Sequence, residues 1–113
     1  MTVREELYNL LSIVYPAYLT GTYPIDEEYP SSFYTFFNQK TDLVSLDNDE
    51  KESTSIYTIN FYTNNPELLD IEIKEKRKLL KDNGYAVSGP YDVRSDEKSH
   101  VGKGFICRIT KYE

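Results

Sequence analysis

The sequence predicts an α+β fold, a two-layer sandwich in which two helices pack on one face of a mostly antiparallel sheet. Two segments space their apolar residues with helical periodicity, several others are rich in β-formers, and the later strands are joined by short turns. Short turns favour antiparallel pairing, and helices then cover one face of the sheet. At 113 residues, the chain is expected to form a single domain over residues 1–113.

The first helix is predicted over about residues 3–15. Thr2 and Glu5 form a Thr-x-x-Glu capping box, and Val3, Leu7, Leu10, Leu11 and Val14 fall on one helical stripe. Pro16 is expected to end the helix, because the residue before a proline is pushed away from helical torsions.

The second helix is predicted over about residues 66–82. Asn65-Pro66 is typical of a helix start, and Asn83-Gly84 of a helix end. Its buried stripe is expected to comprise Leu69, Ile73, Leu79, Leu80 and the stem of Lys76. Acids dominate its first half and bases its second, as the helix dipole prefers. Pairs of Asp70 with Lys74 and of Glu72 with Lys76 would explain most of these bases without a partner; the alternative is a functional basic patch.

The strands are predicted from β-forming residues and from turn signals. They are a short extended piece near Tyr18, Phe33–Asn38, a possible pairing segment around Leu43-Val44, Ser55–Thr63, residues 85–87, residues 91–93 after a turn at Ser88-Gly89-Pro90, and residues 105–110. Residues 47–53 are expected to form a hairpin tip or mobile loop.

The strand from Phe33 to Asn38 is predicted to be aromatic on both faces. Phe33 and Phe37 share one face with Thr35, and Tyr34 and Phe36 share the other. A half-solvated strand normally alternates apolar with polar residues, so the second aromatic face needs a cover of its own. Either the same chain or a neighbouring copy is expected to supply it.

Composition favours assembly over catalysis. The chain has eleven tyrosines and five phenylalanines but one histidine, one cysteine and no tryptophan. Its net charge of -6 opposes tight binding of nucleic acid, because such affinity depends on bases that displace counterions from phosphates. No segment is apolar for long enough to span a bilayer, and the N-terminus lacks the basic entry of a signal peptide, so the cytoplasm is the expected compartment.

Candidate chemical sites are sparse. Asp96, Glu97 and His100 offer metal-binding atom types, but their spacing matches no closed site and a polar loop is the simpler interpretation. Cys107 lies in an apolar run and is expected to be a buried small hydrophobe. No Ser-His-acid or Cys-His arrangement is supported. We therefore expect no enzymatic activity, no cofactor and no metal.

Taken together, short motifs over most of the chain resemble the small tail-terminator or tail-completion proteins of long-tailed bacteriophages and prophages. The motifs are Tyr18, Gly21–Pro24, Glu28–Phe33, Phe36–Asn38, Asp47-Asn48, Tyr57–Tyr62, Asn65–Glu67, Tyr91–Val93, Ser95–Glu97 and Gly102–Gly104.

The resemblance implies a virion protein that forms a ring, commonly a hexamer, at the head-proximal end of the tail tube. Such a ring would contact copies of itself, the tail tube protein and the head-side connector, and it would let DNA pass without tight binding. The protein would then reside in the virion tail, and in the host cytoplasm during assembly, without a membrane partner.

Two groups of residues are candidates for these contacts. The aromatic residues Tyr34, Phe36, Tyr57 and Tyr62 are expected to lie at an oligomer interface or in the core. The acidic residues Asp47, Asp49, Glu50 and Glu52 are expected to face the lumen of the ring or a partner, since they lack the regular spacing of a calcium loop. A different class of function remains open: a small acidic adaptor or inhibitor that binds a host DNA-handling protein.

Overall fold

Five strands form one sheet, and two helices lie against one of its faces. The computed structural model describes residues 2–19, 30–45, 51–94 and 99–112. Its elements are α1 (Val3–Leu11), β1 (Ala17–Leu19), β2 (Ser32–Ser45), β3 (Lys51–Thr63), α2 (Pro66–Asp82), β4 (Ala86–Val93) and β5 (Val101–Tyr112). The sheet order is β1-β2-β3-β5-β4, with β1 parallel to β2 and the other pairs antiparallel. The predicted α+β sandwich is confirmed.

Capping residues set the start of both helices and the end of α2 much as the sequence predicts. The Glu5 backbone N–H donates to Thr2 Oγ1 at 3.1 Å, which caps α1. The Asn65 side chain accepts from the Glu67 N–H at 3.1 Å, which caps α2. Helix α2 ends at Asp82, and Gly84 follows with a φ of +91°, a torsion that glycine adopts without the strain of a Cβ.

Helix α1 is shorter than predicted. It ends at Leu11 rather than near residue 15, and Val14, expected on its apolar stripe, is 70% exposed. After the helix the chain joins the sheet: the Pro16 carbonyl accepts from the Tyr34 N–H at 2.8 Å, directly before β1 pairs with β2. Pairing with the sheet therefore overrides the helical periodicity of these last residues.

Strands β2 and β3 are longer than predicted. At one end of this antiparallel pair Ser32 lies opposite Thr63, and at the other Ser45 lies opposite Lys51. The register is irregular once, between Asn38 and Lys40. Residues 51–53, expected in the loop, belong to β3 instead. Ladder hydrogen bonds to β2, and for Glu52 and Ser53 also to β5, outweigh the low β propensity of Lys51 and Glu52.

Strand β4 corrects the predicted turn at Ser88-Gly89-Pro90. Both halves of this segment pair with the same strand, β5, and the pairing is irregular only between Ser88 and Tyr91. The turn residues form a bulge within one strand. Gly89 has a φ of +109°, and Pro90 lies on the edge of the sheet, where its missing N–H costs no central ladder bond.

The core lies between the helices and one face of the sheet. Its buried members include Leu7, Leu11, Tyr34, Phe36, Tyr57, Ile59, Phe61, Leu69, Ile73, Leu80, Tyr85, Phe105, Cys107 and Ile109. This set confirms the shared face predicted for Tyr57, Ile59 and Phe61. Within the part of the chain that the structure describes, neither helix is long and apolar enough to cross a membrane.

A buried polar network links both helices to the sheet. The Tyr34 hydroxyl donates to Glu72 Oε1 at 2.6 Å, and the Lys76 ammonium lies 3.9 Å from the same oxygen. The Lys76 ammonium also donates to the Leu10 carbonyl at 2.9 Å, in the last turn of α1, where carbonyls lack helical partners. Burial lowers the pKa of Lys76, although Glu72 and Glu75 act in the opposite direction.

We expect Lys76→Met to lower the free energy of unfolding by roughly 2 kcal/mol, because the apolar stem is retained but the Leu10 carbonyl and the Glu72 carboxylate lose a buried donor. Urea unfolding at pH 7 measures the change. Lys74→Met, at an exposed position of the same helix, is the matched control and should change the free energy by less than about 0.5 kcal/mol. Equal losses in the two variants would contradict a stabilising role for the network.

Candidate functional site

The four aromatic candidates divide between the two faces of the sheet. Tyr34, Phe36 and Tyr57 lie in the core beneath the helices and are at most 5% exposed. Of the two roles left open by the sequence, the structure gives these three the core role. Tyr62 lies on the opposite face and is half-buried.

The open face is the side of the sheet opposite the helices. In the described part of the chain the strand register places on this side Phe33, Thr35, Phe37, Lys40, Thr54, Ile56, Thr58, Asn60, Tyr62, Ala86, Ser88, Tyr91, Val93, Gly102, Gly104, Ile106, Arg108 and Thr110. Neither helix packs on it. Phe37 and Tyr91 are each 38% exposed, and most of the others are half-buried. The open face thus combines apolar residues with polar middle rows and with the exposed bases Lys40 and Arg108 beside Ile56.

One corner of the open face is covered by the chain itself. Phe33 stacks on Tyr62 with ring centroids 5.3 Å apart, and it also contacts Tyr18 and His100 at 6.1 and 6.0 Å. These rings leave Phe33 only 3% exposed. The second aromatic face of β2 therefore receives its cover from the same chain at Phe33, whereas Phe37 remains partly exposed.

Two glycines of β5 shape the open face. A Cβ at Gly102 would lie 2.8 Å from the ring of Tyr62, and one at Gly104 would overlap Asn60 Oδ1 and lie 3.0 Å from Tyr91. The missing side chains let these neighbours lie across β5. Asn60 Oδ1 is buried there without a hydrogen-bond partner in the described structure.

The acidic candidates are only partly placed. Glu52 is a half-buried residue of β3, opposite Val44 of β2 and Tyr112 of β5. It is therefore not a loop residue, in contrast to the sequence prediction. Asp47, Asp49 and Glu50 lie outside the described residues.

A basic surface lies on the outer side of α2. Asp70, predicted to pair with Lys74, instead bonds Lys103 of β5 at 2.6 Å, and this hydrogen bond raises the pKa of Lys103. Only the predicted pair of Glu72 with Lys76 forms. Asp70 is thus engaged by the sheet, and Lys74 is left without the partner expected for it.

The basic helix face is defined by Ile71, Lys74, Arg77, Lys78 and Lys81, which line a shallow groove of about 540 Å³ together with Glu75. None of its four bases forms an ion pair with another described residue. Ile71 is 57% exposed among them. Sequence periodicity indicated this exposure only indirectly, since Ile71 is an apolar residue off the buried stripe of α2.

The chemical candidates do not form a reactive site in the described residues. His100 bonds the Pro30 carbonyl through Nε2 at 2.8 Å and Ser99 Oγ through Nδ1 at 2.9 Å. Because a carbonyl only accepts, Nε2 carries the proton and Nδ1 accepts from Ser99 in the neutral ring. Asp96 and Glu97 lie outside the described residues, among which no three potential ligands cluster.

Cys107 is a buried core residue, as predicted, and burial raises the pKa of its thiol to about 12. A thiol that stays protonated is a poor nucleophile.

No protein-family model matches the chain, and no curated protein matches its sequence.

We expect the protein to lose stability in alkali as unfolding releases Cys107 to its ordinary pKa near 9. The folded pKa is raised, so this contribution is complete below pH 9 and is lost as the pH rises towards 12. The loss amounts to roughly 3 kcal/mol by pH 11. Burial also raises the pKa of Tyr34 and Tyr85, and their contributions are lost in the same direction.

Urea unfolding at pH 8 and pH 11 checks this, with Cys107→Ala as the comparison. The variant should be less stable at both pH values because of the cavity. Its free energy of unfolding should fall less between pH 8 and pH 11 than that of wild type, because the variant has no thiol to ionise, whereas the tyrosines contribute in both proteins. An identical loss in both proteins would contradict the linkage.

Proposed function

We propose that the protein is a structural component of a phage virion, which completes the tail tube at the head–tail junction by forming a ring from several copies of itself. The observation that supports this most is the open face. Its partners on that proposal are other copies of the chain, the tail tube protein and the head-side connector.

The open face supports a role in assembly because it has partly exposed apolar residues and neither described helix lies on it. A sheet with helices on one side only is stable when its other side is polar or is covered by a third layer. Here that side presents Phe37, Tyr91 and Ile106. Aromatic residues are enriched in the centres of protein interfaces, where they supply most of the binding free energy.

The charge of the chain is compatible with DNA passing close to the assembled protein. A net charge of -6 repels phosphates overall and opposes the tight, salt-dependent binding that a net excess of bases produces. A wall that repels DNA weakly is suited to a channel through which DNA has to move.

The double variant Phe37→Asp with Tyr91→Asp should prevent tail completion, because each aspartate places a charge in the proposed contact. In a phage from which the reading frame has been deleted, we expect the double variant to yield at least tenfold fewer joined, infectious particles than wild type. Plaque counts and electron microscopy of tail length and head attachment measure this.

The matched control changes Ile13 and Val14 to aspartate, since these exposed apolar residues follow α1, away from the open face. It should support assembly within about twofold of wild type, provided that both variants unfold at similar urea concentrations. Deletion particles with joined tails of normal length would refute the proposal. So would a strictly monomeric protein that binds a DNA-handling enzyme tightly and is dispensable for tails.

A further inference from the structure

We propose that the basic helix face is a docking surface for an acidic segment of a different protein, a segment that also carries an apolar residue close to its acids. The inference goes beyond the proposed contact between copies, which the open face supports, and it stands or fails independently of that contact. The surface belongs entirely to α2.

The basic helix face points away from the core. Ile73 and Leu80 are buried on one side of α2, and residues three, four or seven positions apart share a side of a helix. Ile71, Lys74 and Lys78 follow this spacing on the opposite side, where all three are exposed. A ligand can therefore reach them without a change in the fold.

The four bases repel one another within their own helix. Lys74 and Lys78 are four residues apart, as are Arg77 and Lys81, and like charges at this spacing destabilise a helix. None of the four forms an ion pair with another described residue, and among the described residues that line their groove only Glu75 is acidic. An acidic ligand would remove part of this repulsion.

Ile71 adds an apolar contact beside the charges. It is 57% exposed and lies about one helical turn before Lys74. Burying such a side chain against another apolar side chain is favourable, whereas a phosphate group gains nothing from it. The complementary ligand therefore combines acids with an apolar residue, as a segment of polypeptide can.

Acids flank the bases at both ends of the helix. Glu67 and Asp82 each lie four residues from a member of the basic helix face, on the same side of α2, and both are exposed. The bases from Lys74 to Lys81 thus cover only roughly 11 Å of helix. A nucleic acid continues its phosphates past both ends, where it meets these acids as well as the net charge of -6. A short acidic segment contacts the bases alone, which favours a protein as the occupant.

Binding of two designed peptides tests the surface. The first is a fluorescently labelled peptide of about 15 residues, long enough for four helical turns, with leucine at every fourth position and glutamate on either side of each leucine. The second has serine in place of each leucine. Fluorescence anisotropy at about 50 mM salt, where surface charges are weakly screened, measures the affinity of the full chain for both.

Three variants separate the contributions of charge and apolar area. The charge-reversed variant combines Lys74→Glu with Lys78→Glu, and Ile71→Ser removes only the apolar contact. The control combines Arg4→Glu with Arg94→Glu, which changes the net charge as the charge-reversed variant does but at exposed positions outside the basic helix face. All are surface substitutions and should unfold at urea concentrations similar to that of wild type.

We expect wild type and control to bind the leucine peptide with affinities within about twofold of each other, and the charge-reversed variant to bind it at least tenfold more weakly. Ile71→Ser should weaken binding of the leucine peptide by at least about threefold and leave binding of the serine peptide unchanged. Added salt at about 500 mM should weaken every complex.

The proposal is overturned if wild type does not bind the leucine peptide at about 1 mM, if the charge-reversed variant binds it as tightly as wild type, or if wild type binds both peptides equally well. Tighter binding of a labelled DNA duplex, lost only in the charge-reversed variant, would make the surface a nucleic-acid site instead. Self-association of wild type in light scattering, lost only in that variant, would make the occupant a second copy. None of these results bears on the open face or on its test by tail completion.

Discussion

The hydrogen bond from Tyr34 to Glu72, together with the ion pair of Lys76 with Glu72, determines how the helices lie on the sheet. It joins β2 to α2, and the bond from Lys76 to the Leu10 carbonyl adds α1. A buried carboxylate without partners would cost several kcal/mol, so α2 is held in the rotation that satisfies it. The network therefore determines which residues of α2 are buried and which face outward.

The rotation of α2 about its axis determines which of its residues are exposed to solvent. Since a helix turns by about 100° per residue, burying Leu69, Glu72, Ile73 and Lys76 leaves Ile71, Lys74 and Lys78 outside. Placing the helices on one side also leaves the open face without a helical layer. The exposed bases of α2 and the open face are thus consequences of one internal arrangement.

Sequence reasoning was most successful where local signals dominate. The bounds of α2 followed from Asn65, Pro66 and Asn83-Gly84, because capping depends on residues within one turn. The end of α1 and the length of β3 were wrong because both depend on pairing partners distant in sequence. Residues 51–53 look like loop residues by propensity, but all three pair with β2, and Glu52 and Ser53 also pair with β5. Similarly, the residues at Gly89 have the composition of a turn, and only their shared partner β5 shows that they form a bulge.

The ion pairs of α2 likewise depend on residues that are distant in sequence. Spacing along α2 assigned Asp70 to Lys74, a pair worth only a few tenths of a kcal/mol in a helix. Lys103 competes for Asp70 from β5, which lies far away in sequence but alongside α2 in the fold. An exposed ion pair of this kind adds little stability, yet its choice of partner matters because Lys74 then forms no ion pair with another described residue. A base left without a partner on the surface is available to another molecule. The identity of the electrostatic partner, more than the strength of the pair, thus makes this helix a candidate for recognition.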